Sequence, residues 1–325
     1  MDQTFAALAA DRGGFFTRGD AIRNGIGDRE LRSAVRRGLL HRLRHGCYTG
    51  SADYARLDEV GQHLLLARAV LASQLGEVAL TGPTAAALHG LSTYGQSLDV
   101  VHLVRLDQGS SRLEVGTRHH VLTHDISRDL TTVAGLPVVS VARTVWEVAT
   151  VSSLEAAVCT ADSALRLHPG IASDLKTIAA TFSRRPGSLR ARAAVAFADG
   201  RSGSEGESLS RVLFARHRIP QPDLQHHVAD RDGVLLGITD FAWDEFHHVG
   251  EFDGEVKYNR YLRAGEEPGD AVFREKRRED AIRSQGWGMT RWTWRDLTGA
   301  RALELIRRLR EDLARSSSLY GRRTA

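Results

Sequence analysis

The chain has 325 residues, 42% hydrophobic and 26% charged, a balance that excludes wholesale disorder and points to two or three domains rather than one core. No apolar run approaches the roughly 20 residues of a membrane span, and the opening MDQTFAALAADRGG lacks the basic start and apolar stretch of a signal peptide. Net charge is +4 with a pI near 9.3, a weak pull towards an anionic partner, and Cys47 and Cys159 lie too far apart for CxxC-type chemistry, so a reduced, cytoplasmic protein is expected.

In chain order, FAALAADRGG predicts a short helix ending at Gly13 and Gly14. Thr17, with Asp20 three residues on, has the form of a capping box and opens a second helix in TRGDAIRNG. Asp28 is placed to cap a third, DRELRSAVRRG, with Leu31 and Val35 on one face. LLHRLRHGCYTG alternates and turns at His45 and Gly46, as a β-wing does. Three short helices and a hairpin within residues 1–50 predict a winged helix-turn-helix. Arg29, Arg32, Arg36 and Arg37 then lie along the helix that this motif lays in a major groove, and Arg42 and Arg44 on the wing are placed to reach phosphates. A charge run is more often a solvated face than a binding site, and a winged helix used only for packing or protein contact is the competing reading.

The stretch FFTRGDAIRNGIGDRELRSAVRRGLLHRLRHGCYTG resembles the N-terminal domain of AbiEi-type antitoxins of type IV toxin–antitoxin systems. VALTGPTAAALHGL, SLDVVHLVR and LPVVSVARTVWEVA resemble the segment that trails this domain in actinobacterial relatives. The resemblance implies a DNA-reading head followed by an α/β domain. In the antitoxins themselves it implies transcriptional autoregulation and neutralisation of a toxin.

Residues 51–185 read as a middle α/β domain. GQHLLLARAVLASQLG and PTAAALHGL predict helices, DVVHLVR, RLEVGTRHHVLT and LPVVSV predict strands, and TVWEVATVSSLEAAVCTADSALR returns to helix. His89, His102, His119, His120 and His124 fit no zinc spacing, so no site is assigned there. Residues 186–203, Ala-rich and then rich in Gly and Ser, read as a linker.

The last domain, 204–315, opens on the helix GESLSRVLFARHRIP with Glu207 in its first turn, where the helix dipole alone would favour a carboxylate. LQHHVAD predicts an edge strand carrying Gln225, and VLLGITDFAW a central one. Strand alternation puts Ile238, Asp240 and Ala242 on one face, and Val249, Glu251 and Asp253 on one face of the return strand, with Lys257 keeping that parity. If the turn centres near Glu245, Asp240 lies opposite residue 250 and one step from Glu251. Like charges about 4 Å apart repel by about 4 kcal/mol at a surface-like dielectric. A divalent cation, or a proton on one carboxyl, must relieve the cluster. Oxygen ligands suit Mg²⁺ or Mn²⁺, with Asp240, Glu251 and Asp253 as the metal ligands. Residues 316–325 read as a flexible tail.

This arrangement of carboxylates resembles the PD-(D/E)XK nuclease superfamily, whose mark is a helix carboxylate, then D, then E-x-K at the end of a hairpin. TDFAWDEFHHVGEFDGEVKY is similar to its DUF559 and very-short-patch-repair endonuclease-like group. The downstream REKRREDAIRSQGWGMTRWTWRDL fits the same pattern. The resemblance implies a restriction-endonuclease-like α/β/α core and metal-assisted phosphodiester hydrolysis. By position it implies Asp240 and Glu251 as principal ligands, Glu207 holding metal through water, and Gln225 positioning phosphate or water. Asp253 departs from the superfamily's lysine, and Lys257 stands where the narrower group has histidine. Arg274, Lys276, Arg277 and Arg278 on the following helix would contact the DNA backbone.

The leading expectation is therefore a metal-dependent DNA endonuclease or nickase tethered by its winged helix. The alternative is a non-catalytic DNA-binding regulator of antitoxin type. A third reading makes the partner a nucleotidyltransferase toxin. Cutting both strands with one active centre per protomer would need a homodimer, although no dimer motif is readable.

Overall fold

A computed structural model describes residues 3–74, 76–107, 112–121, 127–254 and 268–320. The chain forms two compact units, Met1–Ala156 with Ile171–Arg192, and Ala157–Gly170 with Ala193–Ala325. Among the described residues no helix is long and apolar enough to cross a membrane.

The first unit begins with α1 (Gln3–Ala10), β1 (Phe16–Thr17), α2 (Arg18–Arg23), α3 (Asp28–Arg36), β2 (Leu40–Arg44) and β3 (Cys47–Gly50). The strands form a sheet in the order β1-β3-β2. Phe5, Leu8, Phe16, Ala21, Leu31, Ala34 and Leu40 close a small core of their own. The Thr17–Asp20 capping box forms as its spacing predicts. Burial works against an ionised Asp20, but hydrogen bonds from Arg12 and Thr17 outweigh it and bring its carboxyl down to about 2. The cap of α3 differs from the expectation. Gly27 is the N-cap, its N–H donating to Glu30 at 2.8 Å, while Asp28 is the first helical residue and accepts Arg18 at 2.6 and 2.7 Å. The wing turns at His45 and Gly46, with Gly46 at φ +74°.

There follow α4 (Ser51–Arg56), α5 (Glu59–Leu71), β4 (Val78–Leu80), α6 (Gly82–Leu88), β5 (Val101–Arg105), β6 (Arg112–Glu114), β7 (Thr117–Val121), β8 (Leu130–Val133), β9 (Leu136–Val139), α7 (Val141–Val151), α8 (Leu154–Leu167), α9 (Ala172–Thr181) and α10 (Ser188–Phe197). The six strands make one mixed sheet, β6-β7-β5-β4-β9-β8, with β4 parallel to β9 and β5 parallel to β7. Val70, Leu80, Val101, Leu103 and Val138 bury its centre.

The second unit is built on α11 (Glu205–Arg216), β10 (Asp223–Ala229), β11 (Leu235–Trp243), β12 (His248–Asp253), α12 (Pro268–Ser284), β13 (Gly288–Thr293) and α13 (Gly299–Tyr320). Its sheet runs β10-β11-β12-β13, antiparallel except for the parallel β12–β13 pair. Strand alternation gives the sheet two apolar faces. Phe241, Trp243 and Trp292 pack with Phe214 of α11 and with Leu305 and Leu309 of α13. Val228, Ala242, Val249 and Met289 pack with Ile282 of α12. The result is a helix–sheet–helix sandwich of element order αβββαβα.

The unit boundaries depart from the expected divisions. Residues 157–170, expected in the middle domain, belong to the second unit. The reason is Asp162 of α8, fully buried, which accepts Asp199 N, Ser208 Oγ and Arg211 Nη1 at 2.7–2.8 Å. The stretch 186–203 is not an open linker: α10 occupies most of it, and a Cβ on Gly200 would lie 2.9 Å from Leu165. The expected tail at 316–325 is helical as far as Tyr320, because Ser316 is buried and meets His248 Nδ1 at 2.9 Å. Residues 321–325 lie outside the described residues.

Candidate nucleic-acid interface and carboxylate site

Leu31 and Ala34 of α3 face the winged-helix core, which turns Arg29, Arg32 and Arg36 to the opposite side, three and four residues apart. These three, with Arg37 and the wing residue Arg42, are exposed. Other arginines of the domain are paired: Arg12 and Arg23 with Asp20, and Arg18 with Asp28. Among the described residues none of Arg29, Arg32, Arg36, Arg37 and Arg42 forms such an ion pair. Arg44 is different, since it is half-buried and donates to Ser73 Oγ at 2.8 Å, anchoring the wing. The winged helix thus presents a bare cationic face with a basic wing beside it, the combination that groove-reading proteins use.

In the second unit the turn between β11 and β12 spans residues 244–247, with His247 left-handed at φ +47°. Phe241 pairs with Gly250, so continuing the register sets Asp240 directly across from Glu251, rather than opposite residue 250 as the expected turn implied. The ladder opens at this point, and Asp240 Oδ2 accepts the Phe252 N–H at 2.8 Å. Burial, then the charge of Glu207, then that of Glu251 push the Asp240 carboxyl up to about 7, although the Phe252 bond and Arg278 pull the other way. Asp253 is also raised, chiefly by burial.

Glu207 is buried near the start of α11 and accepts Gly203 N at 2.7 Å, Ser204 Oγ at 2.9 Å and Gln225 Nε2 at 3.0 Å. Gln225 sits at φ +52°, between residues paired to Phe241 and Thr239, and therefore across from Asp240. A left-handed backbone at a non-glycine strand position is strained, and here it aims the Gln225 amide at Glu207. The structure thus brings Glu207, Gln225, Asp240 and Glu251 to one end of the sheet.

Glu251 is buried and bound by two arginines. Arg278 Nη2 reaches Oε1 at 2.5 Å, and Arg291 Nη2 reaches Oε2 at 2.7 Å. Both arginines also hold Glu275, at 2.7 and 2.5 Å. Arg278, expected on the DNA backbone, is therefore half-buried in ion pairs, while Lys276 and Arg277 are exposed on α12 and Arg274 is partly so. Lys257 lies outside the described residues. Among the described residues no three His, Cys, Asp or Glu side chains gather to hold a metal ion. With both Glu251 oxygens on guanidinium groups, the carboxylates in this arrangement do not fit Mg²⁺ or Mn²⁺.

Sequence reading missed Arg291 and Glu275. Their part depends on β13 lying parallel beside β12, which sets Arg291 against Glu251, a long-range pairing with no local signal. In the middle sheet His102 Nδ1 and His120 Nε2 meet at 3.0 Å, and burial pushes His102 down to about 4. His89 bonds Val139 O at 2.7 Å, and His124 lies outside the described residues.

Residues 3–49 match the family described as "Transcriptional regulator, AbiEi antitoxin". Two curated relatives from Mycobacterium tuberculosis strains, "Uncharacterized protein MT2308" and "Uncharacterized protein Rv2248", are each 31% identical over 205 residues, 63% of this chain and 70% of theirs. The chain belongs to the family of these mycobacterial proteins. In this member of the family, the AbiEi-type regulator domain spans the winged helix and most of its wing. Among solved structures, the Mycobacterium tuberculosis RV2827C protein aligns with 71% of this chain and 89% of its own, at 17% identity and a TM-score of 0.40.

Proposed function

We propose that the protein is a DNA-binding transcriptional regulator of the AbiEi antitoxin type, which reads duplex DNA with α3 and braces it with the β2–β3 wing. The observation that carries this reading is the unpaired row Arg29, Arg32 and Arg36 on the exposed face of α3, inside the segment that matches the antitoxin regulator family. Each phosphate contact made by such a face releases counterions, so affinity falls steeply with salt. The test is fluorescence anisotropy with duplex DNA selected for tight binding, titrated from low to moderate salt. Replacing Arg29, Arg32 and Arg36 by alanine is expected to weaken binding by about a hundredfold or more and to flatten the salt slope by about two to three. Unchanged binding and slope would sink the reading. In this reading the partners are DNA and a toxin that the protein neutralises.

A second reading is favoured by one observation on the other unit. The αβββαβ order sets Asp240 across from Glu251 at a sheet end that also holds Glu207 and Gln225, the placement expected of a PD-(D/E)XK phosphodiesterase. In this reading the second unit is an endonuclease or nickase that could use Mg²⁺ or Mn²⁺ only with Glu251 released from Arg278 and Arg291, and the winged helix tethers it to DNA. Its test is supercoiled plasmid incubated with Mg²⁺, Mn²⁺ or EDTA beside Asp240→Ala. Metal-dependent nicking or linearisation lost in the variant supports the nuclease. Intact plasmid, together with intact single-stranded and branched DNA, leaves regulation as the whole activity.

A further inference from the structure

Helix α12 divides its side chains between two faces. Ile282 is fully buried against the sheet, and Arg278 is tied to Glu251, to Glu275 and, through Nη1 at 3.2 Å, to the Ile238 carbonyl. Asp270, Phe273, Lys276 and Arg277 recur three and four residues apart on the other face and are exposed. Among the described residues Lys276 and Arg277 enter no ion pair, and Phe273 meets no other aromatic ring. Phe273 is 64% exposed, so its ring adds little to the core. A groove of about 390 Å³ runs beside it, lined among the described residues by Asp270, Phe273, Arg274, Arg277 and Arg278. Arg278 is fixed there by its three partners and its charge is already met by two carboxylates. The charge left bare for a ligand is that of Lys276 and Arg277.

We infer that this face of α12 binds single-stranded DNA, with one base stacked on Phe273 and the neighbouring phosphates against Arg277 and Lys276. The chemistry selects the ligand. Cations alone would serve any phosphodiester, duplex included, but a bare phenyl ring beside them gains most from the flat face of an unpaired base. In a duplex those faces are already covered by the neighbouring pairs. Asp270, one turn before Phe273, repels phosphate, so the strand runs from Phe273 towards the C-terminal half of the helix. The surface goes beyond both readings above and needs neither a metal ion nor cleavage. The choice of DNA rests on the first of them, in which the winged helix brings the chain to DNA.

The experiment is fluorescence anisotropy in EDTA with the full-length protein and a labelled oligothymidylate of about a dozen nucleotides. The same strand annealed to its complement and an oligouridylate are the comparisons. Arg29→Ala with Arg32→Ala and Arg36→Ala silences the winged helix, and this variant is expected to keep single-strand binding within about twofold. On that background Phe273→Ala is expected to weaken it about tenfold or more, and Phe273→Tyr to keep it, because either ring stacks. Arg277→Gln is expected to flatten the salt slope by about 0.7, the share of one single-strand phosphate. Asp270→Asn is expected to tighten binding, an effect of opposite sign. Single-strand affinity unmoved by Phe273→Ala, or no greater than that for the duplex in the silenced protein, overturns the inference. Tighter binding of oligouridylate overturns the assignment to DNA. If the unaltered chain does not hold duplex while its single-strand binding still depends on Phe273, the first reading fails and this surface stands.

Discussion

Asp240 shows how much one side chain can reveal. Its placement on a core-facing strand was readable from alternation alone, and so was its convergence with Glu251. What alternation could not supply was the identity of the compensating charge, because Arg291 lies 40 residues further on in a strand whose place in the sheet is set by packing. The folded carboxyl of Asp240 stands at about 7 against an ordinary 3.8. The folded state therefore binds the extra proton between those values, and this group's contribution to stability is greatest in acid and declines as pH rises from about 4 to about 7. Asp240→Asn keeps an oxygen for the Phe252 N–H and removes the ionisation. In EDTA, urea denaturation is expected to show equal stability for the two proteins near pH 4. The variant should be more stable by on the order of 2–4 kcal/mol at pH 8. A constant difference across that range would mean that Asp240 does not titrate there.

At the scale of elements, the N-terminal helices were legible because their ends are written locally. Thr17 and Asp20 cap α2 as their spacing requires, and the wing turns at the expected His45–Gly46 pair. The cap of α3 shifted by one residue because Arg18 claims Asp28, a contact between elements that no local pattern carries. The approach of α11 to β12 was equally hidden. A Cβ on Gly206 would fall 2.0 Å from Phe252, inside the ring's own space. Phe252 packs edge-on against Trp294 with centroids 5.2 Å apart, so the ring has little room to yield. Gly206→Ala would ordinarily favour a helix, yet here it is expected to lower stability by about 2–3 kcal/mol, seen as a depressed thermal midpoint. A raised midpoint would show that α11 can slide away from the sheet.

For the whole molecule, composition suggested three consecutive domains joined by a linker, and the chain instead passes between two units at residues 156–157, 170–171 and 192–193. Asp162 explains why this was illegible: a single aspartate in an Ala-rich helix gives no hint that it will be fully buried against Arg211, whose own side chain is only 8% exposed. Removing one partner of such a pair strands the other charge, so Asp162→Ala is expected to cost about 3–5 kcal/mol. A fragment starting at residue 204 lacks Asp162 as well, and should refold poorly by circular dichroism while the full chain refolds well. Equal refolding of both would assign 157–170 a dispensable role.

The threaded path also bears on inheritance. Because the chain visits each unit twice, no single cut in the gene separates them, and a lone recombination event that imported one would arrive with a piece of the other missing. The winged helix does not escape the constraint either: residues 3–49 are contiguous, but Phe15 and Cys47 pack against Leu65 and Ala69 of α5 and Arg44 bonds Ser73, so the head can be traded only together with α5.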